Sequence, residues 1–500
     1  MDNSSIEDPV PLQALDPDPI DKDLDRSFFH GVAWVGGAKW FTQFLAIAST
    51  LIVARLLTPS DYGLVSMATV YLSLITVASE FGIGIAVVTL RDLTLDQLKQ
   101  LNSLAVLLGV SGFILSIFAA WPLQWFFKAP KLPAIIIILS LTFIITSFQV
   151  VPAAILQREM QFKKLSVIAA IRGFINSLVL VTLAALGFAY WTLVLAAIIS
   201  TAVNTLLTLR ELRYGFSRPD RKSLREVIRF TGDILVGRLS WSFYANSDFA
   251  VAGRTLGTAP MGAYTIAWNV AFTPIETISS FVSSVMPAVF SATQKDYASL
   301  RRYILNLTEG LSLVTFPLSF GLALVAHDMV LVTLGQKWQA AVAPLRLLAI
   351  FASARSITPV ISHALNVIGE TRFGVKLSII SVFAYPAAFF IGSHWGTVGI
   401  ASAWMCIHPL MIMPLYTRLI MRIQLQMSDY LRALRPALEG SAVMTVAVLL
   451  VKPLRAILEP LVLRLTIEIL TGAVVYIAVI AIFHRSRLDA LYRRLKGARG

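Results

Sequence analysis

The chain has 500 residues, of which 57% are hydrophobic and 14% charged, and its mean hydropathy is +0.74. Soluble domains run near 45–50% apolar and 25% charged, so an ordinary soluble protein is excluded and an all-α polytopic membrane protein is indicated. The net charge of +14 does not indicate nucleic acid, because the basic residues are spread over short connections between apolar runs. The single cysteine, Cys406, excludes an intramolecular disulfide and supplies no thiolate metal set.

In chain order, residues 1–29 are polar and acidic, with Pro9, Pro11, Pro17 and Pro19. They lack a short apolar core before a cleavage site and read as a flexible cytoplasmic tail. A membrane-spanning helix needs about 20 mostly apolar residues, and that requirement places fourteen of them. The first six are 30–56, 62–89, 101–121, 133–156, 165–187 and 190–209. The next six are 230–253, 261–290, 303–326, 339–367, 373–393 and 396–417, and the last two are 437–453 and 460–483. Pro274, Pro287, Pro317, Pro344 and Pro359 mark expected bends, where freed carbonyls need new partners inside the protein.

This segmentation divides the chain into an N-lobe (30–209), a basic interlobe linker (210–229) and a C-lobe (230–417). Helices 13 and 14 with their preceding loop (418–484) and a basic tail (485–500) follow. Of 42 Lys and Arg residues, 29 fall on one side of the membrane, 7 on the other and 6 within spans. By the positive-inside rule both termini are cytoplasmic. External loops stay within about a dozen residues, too short for the acceptor and catalyst of a glycan polymerase or ligase. No phosphate-cradling Gly-Lys loop is present, so no ATPase, cofactor or metal is expected, and transport is the simpler class.

The two lobes repeat. Residues 54–68 align with 253–267, placing Arg55 on Arg254, Leu57 on Leu256, Gly63 on Gly262 and Ala68 on Ala267. The shared place is the tight turn after the first helix of each set of six, where glycine permits close approach. The same offset of 199 puts Lys39 on Arg238. An even number of spans per repeat makes the copies parallel, an arrangement that places a site at their interface near mid-membrane.

A cation in the bilayer core costs at least ~2.5–3.5 kcal/mol and by default has a partner, a wet cavity or a ligand. Lys39 and Arg238 each lie about nine residues into their spans, or ~14 Å, close to the midplane of a ~30 Å core. They are read as a shared anion site. The competing reading gives Lys39 to the headgroups by snorkelling and Arg238 to Asp233 or Asp248 on its own helix. Arg346 and Arg355 are nine residues apart, on opposite helix faces, so one of them is expected to line the cavity. Arg172 and Arg464 are read as structural. Glu80, Glu276 and Glu309 are the coupling or gate carboxylates. His363 and His408 read as helix contacts rather than metal ligands.

The run ARLLTPSDYGLVSMATVYLSLITVASEFGIGIAVV, residues 54–88, resembles the opening signature of bacterial polysaccharide flippases of the multidrug/oligosaccharidyl-lipid/polysaccharide superfamily. VPAAILQREMQFKKLSVIAAIRGFINSLV, residues 151–179, resembles that family's fourth and fifth helices. The similarity is greatest to the colanic-acid-type exporters. It implies two pseudosymmetric six-helix lobes around a central cavity plus two accessory helices, which form a side groove for a polyprenyl tail. It also implies alternating-access export of undecaprenyl-diphosphate-linked oligosaccharide from the inner to the outer leaflet of the bacterial cytoplasmic membrane, for lipopolysaccharide or exopolysaccharide assembly. The implied partners are that anionic lipid-linked oligosaccharide, membrane lipids, and polysaccharide polymerase and export machinery. Some relatives carry cavity arginines; the first helix here has Lys39, Gln43 and Ser49, so those roles do not transfer. A drug or toxin exporter of the same superfamily, or a glycan polymerase or ligase, are the alternatives.

Overall fold

The computed structural model describes residues 42–90, 92–220, 222–293, 296–453 and 460–485. Lys39 lies outside these, as do the expected N-terminal tail and nearly all of the C-terminal one. No strand occurs among the described residues.

Helix α1 (Thr42–Leu56) leads into a turn closed by a capping box, in which the Thr58 hydroxyl and the Asp61 carboxylate each accept from the other's backbone N–H. With Pro59 at the first helical position this starts α2 (Pro59–Glu80) abruptly. The expected span 62–89 is not one helix. Phe81 and Gly82 are both left-handed, with φ of 44° and 64°, and α3 (Ile83–Thr89) begins beyond them. Then follow α4 (Leu95–Phe127), α5 (Leu132–Ser147), α6 (Val150–Arg158), α7 (Phe162–Ala185) and α8 (Trp191–Glu211). Helices α5 and α6 meet at 46°.

Because α8 runs to Glu211 and α9 (Arg225–Ala245) starts early, the expected linker 210–229 shrinks to 212–224. It is strapped along the start of α4. Asn102 Nδ2 donates to Tyr214 O at 3.3 Å, the Ser217 N–H to Ser103 Oγ at 3.1 Å, and the Asp220 N–H to Gln100 Oε1 at 3.1 Å. The second half continues with α10 (Ser247–Leu256), α11 (Thr258–Thr293), α12 (Tyr297–Thr333), a 3₁₀ turn (Gln336–Ala341) and α13 (Val342–Val367). Helices α14 (Thr371–Ser393), α15 (Gly396–Ile423), α16 (Met427–Val451) and α17 (Leu461–Phe483) complete it.

Among the described residues, ten helices are long and apolar enough to cross a membrane, and the bent α5–α6 pair makes eleven. The other three of the fourteen expected segments hold α1, the α9–α10 pair broken at Asn246, and α11. Helices α11, α12 and α13 run on through Pro274, Pro317 and Pro359. The interruptions fall instead at Phe81–Gly82, Phe148–Gln149 and Asn246, none of which is proline.

The apolar core is distributed unevenly. One cluster takes residues from both halves, including Val53, Ala54, Met67 and Ile135 from the first and Met261, Phe272, Trp338 and Trp404 from the second. It lies toward the turn between α1 and α2, called here the turn end. Toward the opposite, linker end the core splits. Ile83, Leu101 and Ile155 of the first half gather with Leu224 and Val227 at the start of α9, while Phe290, Ile304, Ile361 and Ile423 form a separate cluster within the second half.

Candidate functional site

At the turn end the repeated glycines face one another across the two halves. A Cβ on Gly63 would sit 1.8 Å from Thr258 O, and one on Gly262 would sit 1.7 Å from Pro59 O. Pro59 and Thr258 are themselves 199 residues apart, so the two contacts are exchanged by the repeat and mark a pseudo-twofold axis. Ser66 and Thr265, again 199 apart, share a hydrogen bond of 2.9 Å on this axis. Only glycine lets α2 and α11 approach so closely.

The paired arginines of this turn serve different ends. Arg55 Nε donates to Thr333 O at 2.7 Å and its Nη2 to Val332 O, capping the C-terminus of α12. Lys337 Nζ donates to Arg55 O at 2.6 Å and Trp338 Nε1 to Ala54 O at 2.7 Å, capping α1 in return. Arg254 instead rests 5.7 Å from the Phe126 ring.

Toward the linker end, Arg238 on α9 meets Glu80 on α2 at 3.8 Å, with 41% and 46% of their side chains exposed. Arg238 therefore pairs across the halves. Asp248, on its own chain segment, cannot reach it in this arrangement, because the break at Asn246 puts Asp248 on α10 with other partners. The Asp233 side chain lies outside what is described.

Between these ends, α9, α13, α14 and α15 enclose a cavity of about 530 Å³ in the second half. Its wall is aromatic and polar: Trp241, Tyr244, Tyr385 and Trp404 stand beside Ser362, His363, Asn366 and His408. Arg355 also lines it. The guanidinium lies 3.4 Å from Glu276 and stacks over Phe272 at 4.9 Å and Trp268 at 5.3 Å. Tyr244 and Tyr385 are stacked at 5.2 Å, and His408 shares hydrogen bonds with Tyr385 Oη at 3.0 Å and Thr358 Oγ1 at 3.4 Å. Arg346, on the opposite face of α13, opens onto a different groove lined by α12 and α16. Glu309 is half-buried on α12 and lines neither space. Arg464 makes a two-pronged pair with Asp328 at 2.6 and 2.7 Å, a helix-to-helix tie.

One carboxylate escapes sequence reasoning as a site residue. Asp248 is fully buried; its Oδ2 accepts from Tyr264 Oη at 2.8 Å and Trp404 Nε1 at 3.0 Å, and its Oδ1 has no side-chain hydrogen-bond partner among the described residues. The signal available was its place in an apolar run after Asn246. No group of three or more metal-ligating side chains occurs among the described residues.

Helices in two repeats, joined at one end by backbone contact and at the other by an ion pair, with an aromatic and polar cavity in the second half, define a multi-span membrane protein of the transporter type. The chain belongs to the family described as polysaccharide biosynthesis protein, whose profile matches residues 52–343. It is 24% identical over 394 residues to the lipopolysaccharide biosynthesis protein WzxC of Escherichia coli K12, covering 75% of this chain and 78% of that one. It is 25% identical over 485 residues to the succinoglycan biosynthesis transport protein ExoT of Rhizobium meliloti 1021, covering 93% and 95%. Among solved structures, the lipid II flippase MurJ in its inward closed conformation superposes with a TM-score of 0.74 at 15% identity, over 91% of this chain and all of that one. An inward-facing multidrug MATE transporter of the MOP superfamily gives 0.59 at 18% identity, over 76% and 94%. These structural likenesses establish the fold.

Proposed function

We propose that this protein moves a lipid-linked, anionic oligosaccharide from the cytoplasmic to the outer leaflet of the bacterial inner membrane, by alternating access. What carries the reading is the placement of Arg238 and Arg355. Arg238 is 41% exposed beside Glu80 of the other half, on a helix expected from the sequence to enter the membrane, and Arg355 lines the cavity. Intramembrane cations so placed suit a substrate with a diphosphate head, since phosphate oxygens form strong charge-assisted hydrogen bonds with guanidinium groups. The names of WzxC and ExoT, which tie those relatives to lipopolysaccharide and succinoglycan biosynthesis, supply the class of cargo.

In this scheme the linker end faces the cytoplasm, as the excess of Lys and Arg on that side requires, and both termini lie there. Arg238 exchanges Glu80 for a substrate phosphate, so substrate entry itself breaks the ion pair between the halves. Lys39, related to Arg238 by the repeat, supplies the second cation. Glu276 holds Arg355 in place until sugar or phosphate arrives. Asp248, with one oxygen lacking a side-chain partner among the described residues inside an aromatic shell, takes up a proton or small cation and so ties the swing of α10 to an ion gradient.

The test is export itself. Cells lacking the protein should accumulate lipid-linked repeat units on the cytoplasmic leaflet, and a Lys39→Ala/Arg238→Ala double variant should do the same while remaining folded. Wild-type export by the double variant would overturn the diphosphate site; accumulation on the outer leaflet would point instead to a polymerase.

A further inference from the structure

The cavity enclosed by α9, α13, α14 and α15 carries two polar rows. On α13, Thr358, Ser362 and Asn366 recur every four residues, and on α14, Gly374, Ser378, Ser381 and Tyr385 follow one another at four, three and four. Those are the spacings of a single helix face, and the α14 row spans eleven residues, or about 16 Å. Hydroxyls within a membrane helix commonly turn back onto the preceding turn, as Ser378 and Ser381 do onto Gly374 O and Leu377 O. Ser362, His363 and Asn366 do not. Their side chains make no hydrogen bond among the described residues, although all three line the cavity and an unmet polar group inside a bilayer costs free energy. Pro359, on the same face, adds an acceptor, because it has no N–H to give the Arg355 carbonyl.

The wall has no unbalanced charge with which to select an ion. Among the described residues Arg355 is its single Lys or Arg and already meets Glu276 at 3.4 Å, while Glu370 is its single carboxylate and is held by Arg418 and Arg422. What remains of its polar surface is hydroxyl, amide and imidazole, beside broad aromatic faces. Such groups recognise a carbohydrate: hydroxyls and amides exchange hydrogen bonds with sugar hydroxyls, and the electron-rich face of an aromatic ring takes the C–H face of a pyranose. Trp241 offers that face, since it lines the cavity and is 54% exposed, whereas Trp404 is buried among Trp268, Phe351 and Phe389. Trp241 also lies three residues beyond Arg238 on α9, about 4.5 Å along the axis, so a phosphate at Arg238 and the ring bonded to it would fall one turn apart. The volume, about 530 Å³, is in the range of small-molecule sites.

We propose, resting on the function proposed for the chain, that this cavity is the subsite for the sugar portion of the lipid-linked oligosaccharide. A ring rests on Trp241, its hydroxyls reach Ser362, His363 and Asn366, and the diphosphate stays outside at Arg238. Of the two occupants open to Arg355, sugar or phosphate, the cavity takes the sugar.

The test is protection of a cysteine inside the cavity of the purified full-length protein in nonionic detergent. Ser378→Cys in a Cys406→Ser background is reacted with N-ethylmaleimide alone, with undecaprenyl diphosphate, or with lipid-linked repeat units extracted from cells of the same strain that lack the protein. Native mass spectrometry reads which lipid is retained. The sugar-bearing lipid should slow labelling at least several-fold, and undecaprenyl diphosphate should not. Adding Trp241→Ala should remove that protection and Trp241→Phe should keep most of it, with undecaprenyl diphosphate retained alike in all three backgrounds. Equal protection by the two lipids, or protection unchanged by Trp241→Ala, would overturn the subsite. Retention of both lipids without protection would do the same and leave the proposed function standing, whereas retention of neither would remove the function and the subsite together.

Discussion

The two ends of the molecule are closed by different chemistry. At the turn end, backbone rests on backbone at Gly63 and Gly262, and one core draws apolar residues from both halves. At the linker end, the contact runs through α9, which leans on α2 and α3 by an exposed ion pair and by Leu224 and Val227. The first kind of contact depends on shape and has no substitute if a side chain intrudes. The second depends on a pair of charges half open to water, and a competing anion can replace one member. The linker end is therefore the end that costs less to part, as the proposed entry of cargo from that side requires.

A fixed ion pair gives the yardstick for the labile one. Asp328 is fully buried and Arg464 only 18% exposed, and they meet in two short hydrogen bonds. Removing one member of such a pair leaves a buried charge and costs about 3–5 kcal/mol. Asp328→Ala should lower the unfolding midpoint more than any other change discussed, and a near-normal midpoint would deny that this pair is structural. Gly63→Val comes next. Its Cβ would overlap Thr258 O, and forced overpacking costs about 1–3 kcal/mol. Cysteines at Ser60 and Thr258, whose hydroxyls are 2.8 Å apart, should cross-link readily in a Cys406→Ser background and lose that cross-link when Gly63→Val is added. Persistence of the cross-link would show that the close approach does not close this end.

Glu80→Gln and Arg238→Gln should behave differently from both. An ion pair this exposed contributes under about 1 kcal/mol, so the unfolding midpoint should barely move and the Ser60–Thr258 cross-link should still form. Under the proposed diphosphate site, export should fall sharply with Arg238→Gln, because that site loses a cation as well as Glu80 its partner. Glu80→Gln should weaken closure of the linker end with a smaller loss of export. Equal loss from the two would mean that Arg238 serves only as Glu80's partner.

Much of the architecture is legible in the sequence because bilayer thickness and the distribution of Lys and Arg constrain it at long range. The 199-residue offset pairs Gly63 with Gly262, and both lie at the same interface. The partners of buried charges are less legible. Arg238 has two acids on its own predicted span, and nothing local says that Asn246 breaks that span and turns Asp248 toward Tyr264 and Trp404. Glu80 is 158 positions away from Arg238, and only the packing of α2 on α9 brings the two together. The breaks themselves evade the proline rule: Gly82 accepts a left-handed φ that most side chains resist, and Phe81 beside it is left-handed as well.

The smallest effect expected comes from a clamp at the linker end of the second half. Glu370, between α13 and α14, accepts from Arg418 Nε and Nη2 at 3.2 Å and from Arg422 Nε at 2.5 Å, so that it ties the α13–α14 turn to the end of α15. Burial pushes its carboxyl upward, but the hydrogen bonds and charges of the two arginines prevail and hold it below the usual carboxylate value. A carboxyl depressed in the folded state adds stability that is fully present above its unfolded pKa and fades as pH falls through the folded one. For glutamate that window opens below about pH 4.5 and extends downward. Glu370→Gln should therefore lower the unfolding midpoint slightly and by a constant amount at neutral pH. As pH drops through the carboxylate range the wild type should lose this advantage and the two curves should meet. A difference that persisted at pH 3 would mean that Glu370 acts by shape, and the linker end would then have only the Glu80–Arg238 pair to respond to charge.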